Sequence, residues 1–104
     1  MKPPRSERVR IAGPAGEIEA LVEIPAEETA AAGALFGVVC HPHPLYGGTL
    51  DNKVVHTVAR AFVELGVPGI RFNFRGVGGS AGAYDDGRGE TDDALAVIAY
   101  GRER

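Results

Sequence analysis

The stretch CHPHPLYGG at residues 40–48 sets His41 and His43 one residue apart, between Cys40 and the pair Gly47-Gly48. Three kinds of chemistry draw on such residues. Cys40, His41 and His43, with His56 further on, could supply sulfur and imidazole ligands to zinc. That spacing is far looser than a paired-cysteine zinc framework. A second use is mechanical. Each proline holds the residue before it in extended geometry, and Gly47 and Gly48 allow positive φ. His41, Pro42, His43, Pro44, Gly47 and Gly48 would then shape a stiff strand-to-helix connection. A third use belongs to the backbone. Pro42 and Pro44 carry no N–H, whereas Leu45 and Tyr46 do, and amides fixed in advance toward developing negative charge form an oxyanion hole.

A second candidate lies at Gly78-Gly79-Ser80-Ala81-Gly82, which matches the Gly-x-Ser-x-Gly pattern of a nucleophile elbow. An elbow needs a strand running into the serine and a helix leaving at once. Here the apolar run ends near Phe74, and Ser80 is followed by a Gly- and Asp-rich stretch, so Ser80 fails the context of a nucleophile. The same delay removes a dinucleotide reading of Gly76-x-Gly78-x-x-Ala81, which requires the helix to begin within the glycines. No phosphate-binding Gly-x-x-x-x-Gly-Lys-Ser/Thr loop is present. Asp85, Asp86, Glu90, Asp92 and Asp93 lack calcium-loop spacing and suit the positive end of a helix dipole.

The elements that must position these residues follow from periodicity. Residues 1–7 read as a flexible arm, and 8–104 as one domain. Residues 8–11 alternate with period two, Gly13-Pro14-Ala15-Gly16 turns the chain, and Ile18, Ala20, Val22 and Ile24 alternate with Glu17, Glu19 and Glu23. This predicts an antiparallel hairpin with one wet face. Pro25 to Gly33 reads as a loop. Leu35 to Cys40 is continuously apolar, as in a strand buried on both faces. After the histidine segment, Asp51 is placed to cap a helix with Val55, Val58, Ala59, Phe62 and Leu65 on its inner face. Asn52, Lys53, His56, Arg60 and Glu64 fall on the solvated face, and Gly66 ends the helix. An apolar strand over 67–72, a Gly-rich loop over 75–89 and a helix over about 90–101, with Ala94, Leu95 and Ile98 inward, complete the order. The fold class is α/β: a hairpin followed by β-α-β-α with parallel pairing and right-handed crossovers.

Composition narrows the partners. At 104 residues the chain has room for a single modest core, and its formal charge is −3 with no basic cluster, so nucleic acid is not expected. No stretch approaches the ~18 apolar residues of a membrane span, so no membrane partner is expected. The N-terminus lacks the apolar core of a secretory signal. One cysteine fits a reducing compartment, and a cytoplasmic location is expected. No cofactor or metal is expected.

CHPHPLYGGTLDNKVVHTVARAF and RFNFRGVGGSAG resemble the N-terminal half of small bacterial α/β-hydrolase-fold proteins, serine hydrolases related to the dienelactone hydrolase and serine aminopeptidase groups. The likeness runs from the hairpin through DDGRGETDDALAV. It implies hydrolysis of a small ester or amide, with the loop after the third strand giving one amide of the oxyanion hole. It also implies that the nucleophile elbow, the acid and the histidine come later than residue 104. All three histidines precede Ser80, so the order Ser–acid–His cannot be completed within the chain. The expectation is a truncated α/β-hydrolase sheet lacking the triad-bearing strands and inactive alone. Its third strand would be left as an open edge, prone to self-association or to pairing with a partner chain. A non-catalytic half-fold that binds a partner there, or a metal-binding protein using His41 and His43, are the alternatives.

Overall fold

The computed structural model describes residues 4–26 and 35–104. The hairpin forms from β1 (Arg5–Gly13) and β2 (Gly16–Ile24), paired antiparallel from Arg5↔Ile24 to Gly13↔Gly16. Of the arm expected over residues 1–7, residues 5–7 lie in β1, Pro4 precedes it, and 1–3 fall outside the described residues, as does most of the expected loop over 25–33. The strand starts earlier than the apolar alternation because its first residues are held by cross-strand polar pairs. Ser6 donates to Glu23 across the hairpin.

β3 (Gly37–Val39) is shorter than the expected 35–40, and Leu35 ahead of it is exposed. α1 (Lys53–Glu64) follows, then β4 (Gly69–Phe72) and α2 (Arg88–Glu103). The sheet order is β1-β2-β4-β3, with β4 antiparallel to β2 and parallel to β3. β3 is therefore an edge of the described sheet. α1 packs over β2, β3 and β4, and α2 packs against β1, β3 and β4. The main core joins Ile11, Ile18, Ala20, Val22, Ile24, Ile70 and Phe72 to Val97 of α2, and a smaller one joins Val39 to Val55 and Ala59 of α1.

Three local expectations are corrected, and a fourth holds only in part. The cap of α1 is Asn52, whose Oδ1 accepts from the amides of Val54 and Val55 at 2.9 and 3.3 Å. Asp51 instead lies 3.6 Å from the Arg71 guanidinium. The inner face of α1 keeps Val55, Ala59 and the half-buried Phe62, while Val58 and Leu65 are exposed. In α2, Leu95 (58 % exposed) and Ile98 (37 %) face outward, and Gly89, Glu90, Asp93 and Val97 face inward. The reason is an ion pair: Asp93 holds Arg75 through both carboxylate oxygens, at 2.9 Å and 3.1 Å, and so sets the rotation of the helix. The hairpin's second face is wet along β1, where Ser6, Arg8 and Arg10 are exposed, but half-covered at Glu19 and Glu23 of β2. Glu23 takes two hydrogen bonds from the buried Arg71, at 3.0 and 3.2 Å. Glu19 accepts from Asn73 and from the Gly79 amide. Carboxylates on a covered face are tolerated only with such partners.

Candidate functional site

The end of β3 delivers the chain into the histidine segment, where a single 3-10 turn (Pro44–Tyr46) precedes Gly47 and Gly48. Gly47 sits at φ 82°, a left-handed conformation natural to glycine. Gly48 is fixed by contact: a Cβ there would lie 1.8 Å from the Pro42 carbonyl oxygen. The Gly47 amide donates to Pro44 O and the Gly48 amide to His43 O, so the segment folds back on itself.

His41 is 6 % exposed, and both of its ring nitrogens are used. Nδ1 lies 2.7 Å from Pro42 O and Nε2 accepts the Phe74 amide at 3.0 Å, which assigns the proton to Nδ1. Its ring meets Phe74 edge-on at 4.9 Å between centroids. Burial pushes the imidazole below its ordinary pKa, against a smaller opposite pull from the Pro42 carbonyl. A neutral ring with both nitrogens engaged is a clamp between the segment and the end of β4.

His43 caps the 3-10 turn. Its Nδ1 accepts the Leu45 amide at 3.1 Å, and its Nε2 lies 3.0 Å from the hydroxyl of Tyr84, against whose ring it is tilted at 5.2 Å. Leu45, one of the two candidate amides, thus holds the turn together instead of facing an incoming group. Downstream, Leu50 is pinned at both backbone atoms: its amide donates to Asn73 Oδ1 at 2.8 Å, and its carbonyl accepts from Arg71 at 2.7 Å. Asn73 and Arg71 escape a sequence reading because their partners lie more than twenty residues away.

The segment borders an open depression of about 610 Å³, lined by Cys40, His41, His43 and Pro44 on one side and by Tyr84, Asp86, Glu90 and Ala94 among others on the other. Cys40 reaches the surface here, yet the packing around it raises its thiol pKa, which keeps it protonated and a poor nucleophile. His56 lies elsewhere, lining a separate cavity with Arg60 and Arg71. Among the described residues no three His, Cys, Asp or Glu side chains are grouped to hold a metal ion.

Ser80 is 7 % exposed and fully bonded: its Oγ donates to Asn73 O at 2.6 Å and accepts the Glu19 amide at 2.9 Å. β4 ends at Phe72 and α2 begins at Arg88, so neither a strand nor a helix abuts the serine. The acidic cluster is largely helix-end structure. Glu90 accepts the amides of Asp85 and Gly87 at 2.9 and 3.0 Å, and Asp85 accepts that of Gly89 at 3.0 Å. Burial would raise the Glu90 carboxyl, but these amides outweigh it and leave it below the ordinary range.

A sheet ordered β1-β2-β4-β3 with a helix on each side, and a shaped loop leaving β3, is part of an α/β-hydrolase fold. Comparison with known proteins agrees. The chain is 47 % identical to an α/β serine hydrolase homologue from Coxiella burnetii, at a TM-score of 0.86, covering 93 % of this chain and 45 % of that one. A member of the α/β serine hydrolases without a lid, from Xanthomonas campestris, is 42 % identical at a TM-score of 0.87, covering 95 % and 45 %. An uncharacterised protein of Rickettsia prowazekii is 43 % identical over 88 residues, which are 85 % of this chain and 35 % of that protein. No protein-family model matches the chain. The chain spans less than half the length of these relatives. No helix among the described residues is long and apolar enough to cross a membrane.

Proposed function

We propose that the chain is the oxyanion-hole-bearing part of a serine hydrolase acting on small ester or amide substrates, inactive without the nucleophile, acid and base. The observation that carries this reading is the rigid segment after β3. His41 clamps it to Phe74, just past β4, and the amides of Leu45, Gly47 and Gly48 are spent inside it, beside an open depression. The amide assigned to the developing oxyanion is that of Tyr46, with Leu45 as its anchor. Preorganised donors of this kind contribute about 3–4 kcal/mol each to acyl transfer. Likeness to two serine hydrolase structures at more than 40 % identity supports the reaction class. The cytoplasm is the expected location, in keeping with the single free thiol.

A second reading, a half-fold that binds a partner chain through its open edge, is favoured by one observation. Among the described residues β3 pairs on one side only, and Leu35, Leu65 and Leu95 are exposed. Reading the genomic DNA beyond codon 104 separates the two. The hydrolase reading expects a Gly-x-Ser-x-Gly, in frame or frameshifted, within the next strand–helix unit. Coding sequence there without it would overturn that reading in favour of the partner-binding one.

A further inference from the structure

A chain of hydrogen bonds crosses the mouth of the depression from one loop to the other. The Leu45 amide donates to His43 Nδ1 at 3.1 Å, His43 Nε2 lies 3.0 Å from Tyr84 Oη, and Tyr84 Oη donates to Asp86 Oδ1 at 3.1 Å. The order of donors is dictated by the first link. An Nδ1 that accepts an amide proton must be bare, so in the neutral ring the proton sits on Nε2 and points at the tyrosine oxygen. That oxygen then has its own proton for the Asp86 carboxylate. Asp86 is also the one described non-glycine residue with positive φ, at 54°. Aspartate tolerates that region better than most residues, yet still at a cost, and such conformations concentrate at functional sites.

We propose that Tyr84 and Asp86 are positioning residues for the loop after β3. Together with the Leu45 amide they hold His43 in one tautomer, and His43 in turn holds that amide and so the direction of the next peptide group, that of Tyr46. Neither residue touches the reacting atoms; each acts through His43. The inference deepens the hydrolase reading and rests on it for its catalytic meaning, but the lock itself is a property of the chain without substrate. It also explains why a bulky phenol and a strained aspartate stand together on the loop before α2, forty residues from the segment they serve.

The test is nitrogen-15 NMR of the 104-residue chain. The expected signature is a single His43 tautomer, with bare Nδ1 and protonated Nε2, and a Leu45 amide protected from exchange. Tyr84→Phe keeps the ring and removes the hydroxyl. It should mix the tautomers and speed Leu45 amide exchange about 3- to 10-fold, the worth of one ordinary hydrogen bond. Asp86→Asn still accepts from Tyr84 and tolerates positive φ, so it should keep the wild-type signals, whereas Asp86→Ala should shift them as Tyr84→Phe does. The Phe74 and Gly79 amides report in the same spectra that the fold survives. Unchanged His43 and Leu45 signals in a folded Tyr84→Phe chain would overturn the proposal. That result is independent of the codon reading above, which tests the hydrolase assignment.

Discussion

His41 and Phe74 are joined twice: the imidazole Nε2 accepts the Phe74 amide at 3.0 Å, and the two rings meet edge-on at 4.9 Å. This contact ties the loop after β3 to the residues just past β4. His41→Ala would leave the Phe74 N–H without its acceptor and open a space beside the ring. Leaving a buried amide unpaired costs about 1–3 kcal/mol, and the Phe74 amide is part-buried. We expect His41→Ala to lower unfolding stability within that range in urea titration. His41→Gln, whose amide oxygen can accept the same proton, should lose less.

The same residue gives a pH dependence of known sign. The folded-state pKa of His41 is depressed by burial, so the unfolded chain binds the proton more readily. Its contribution to stability is complete above the unfolded value of about 6.5. It is lost as pH falls from there through the folded value, because stability rises with pH wherever the unfolded state holds more protons. Between about pH 7 and 5.5 the thermal midpoint should drop more steeply for the wild type than for His41→Gln. Parallel slopes for the two proteins would remove His41 as the cause.

Asp93, 1 % exposed, faces Arg75 across two short bonds and also accepts the Arg75 amide at 2.9 Å. Breaking one side of a buried pair strands the other charge, at a cost of about 3–5 kcal/mol. Asp93→Ala is therefore expected to be among the most damaging single changes in α2, exceeding Leu95→Ala. Denaturant midpoints of the two variants check the ranking.

That pair also shows where the sequence stops being legible. The hairpin, α1, β4 and the order of elements follow from periodicity and turn residues, all of them local signals. The rotation of α2 does not. Leu95 and Ile98 look like the inner face by type, yet Asp93 takes that place because its partner Arg75 is eighteen residues away. Glu19 and Glu23 likewise read as a solvated face, until Asn73 and Arg71 come in from β4 and the loop after it. At the site, the strand-to-helix position of the histidine segment is visible in the sequence. The assignment of its amides is not, since it depends on how His43 folds back onto Leu45 and on Tyr84 from another loop.

The open edge yields a prediction about association. β3 is paired only with β4 among the described strands, and exposed leucines stand at the C-terminal cap of α1 (Leu65, 71 % exposed) and on α2 (Leu95). Unpaired strand edges beside apolar surface promote chain-to-chain pairing. The 104-residue chain should show concentration-dependent association in sedimentation velocity. Leu65→Lys with Leu95→Lys should weaken it without lowering stability, since both side chains are already exposed. A monodisperse monomer with a cooperative thermal transition would count against the edge as a contact surface.

In the proposed hydrolase this chain shapes the oxyanion hole, and the nucleophile is a serine other than Ser80. Fluorophosphonate labelling tests it most directly, on the chain alone and on the chain joined to the remaining part of the Coxiella burnetii relative. The chain alone should stay unlabelled, Ser80 included, because its Oγ is bonded to Asn73 O and the Glu19 amide. The joined protein should be labelled at a serine in the added part. Labelling of Ser80 in the chain alone, or a folded joined protein that takes no label, would contradict it.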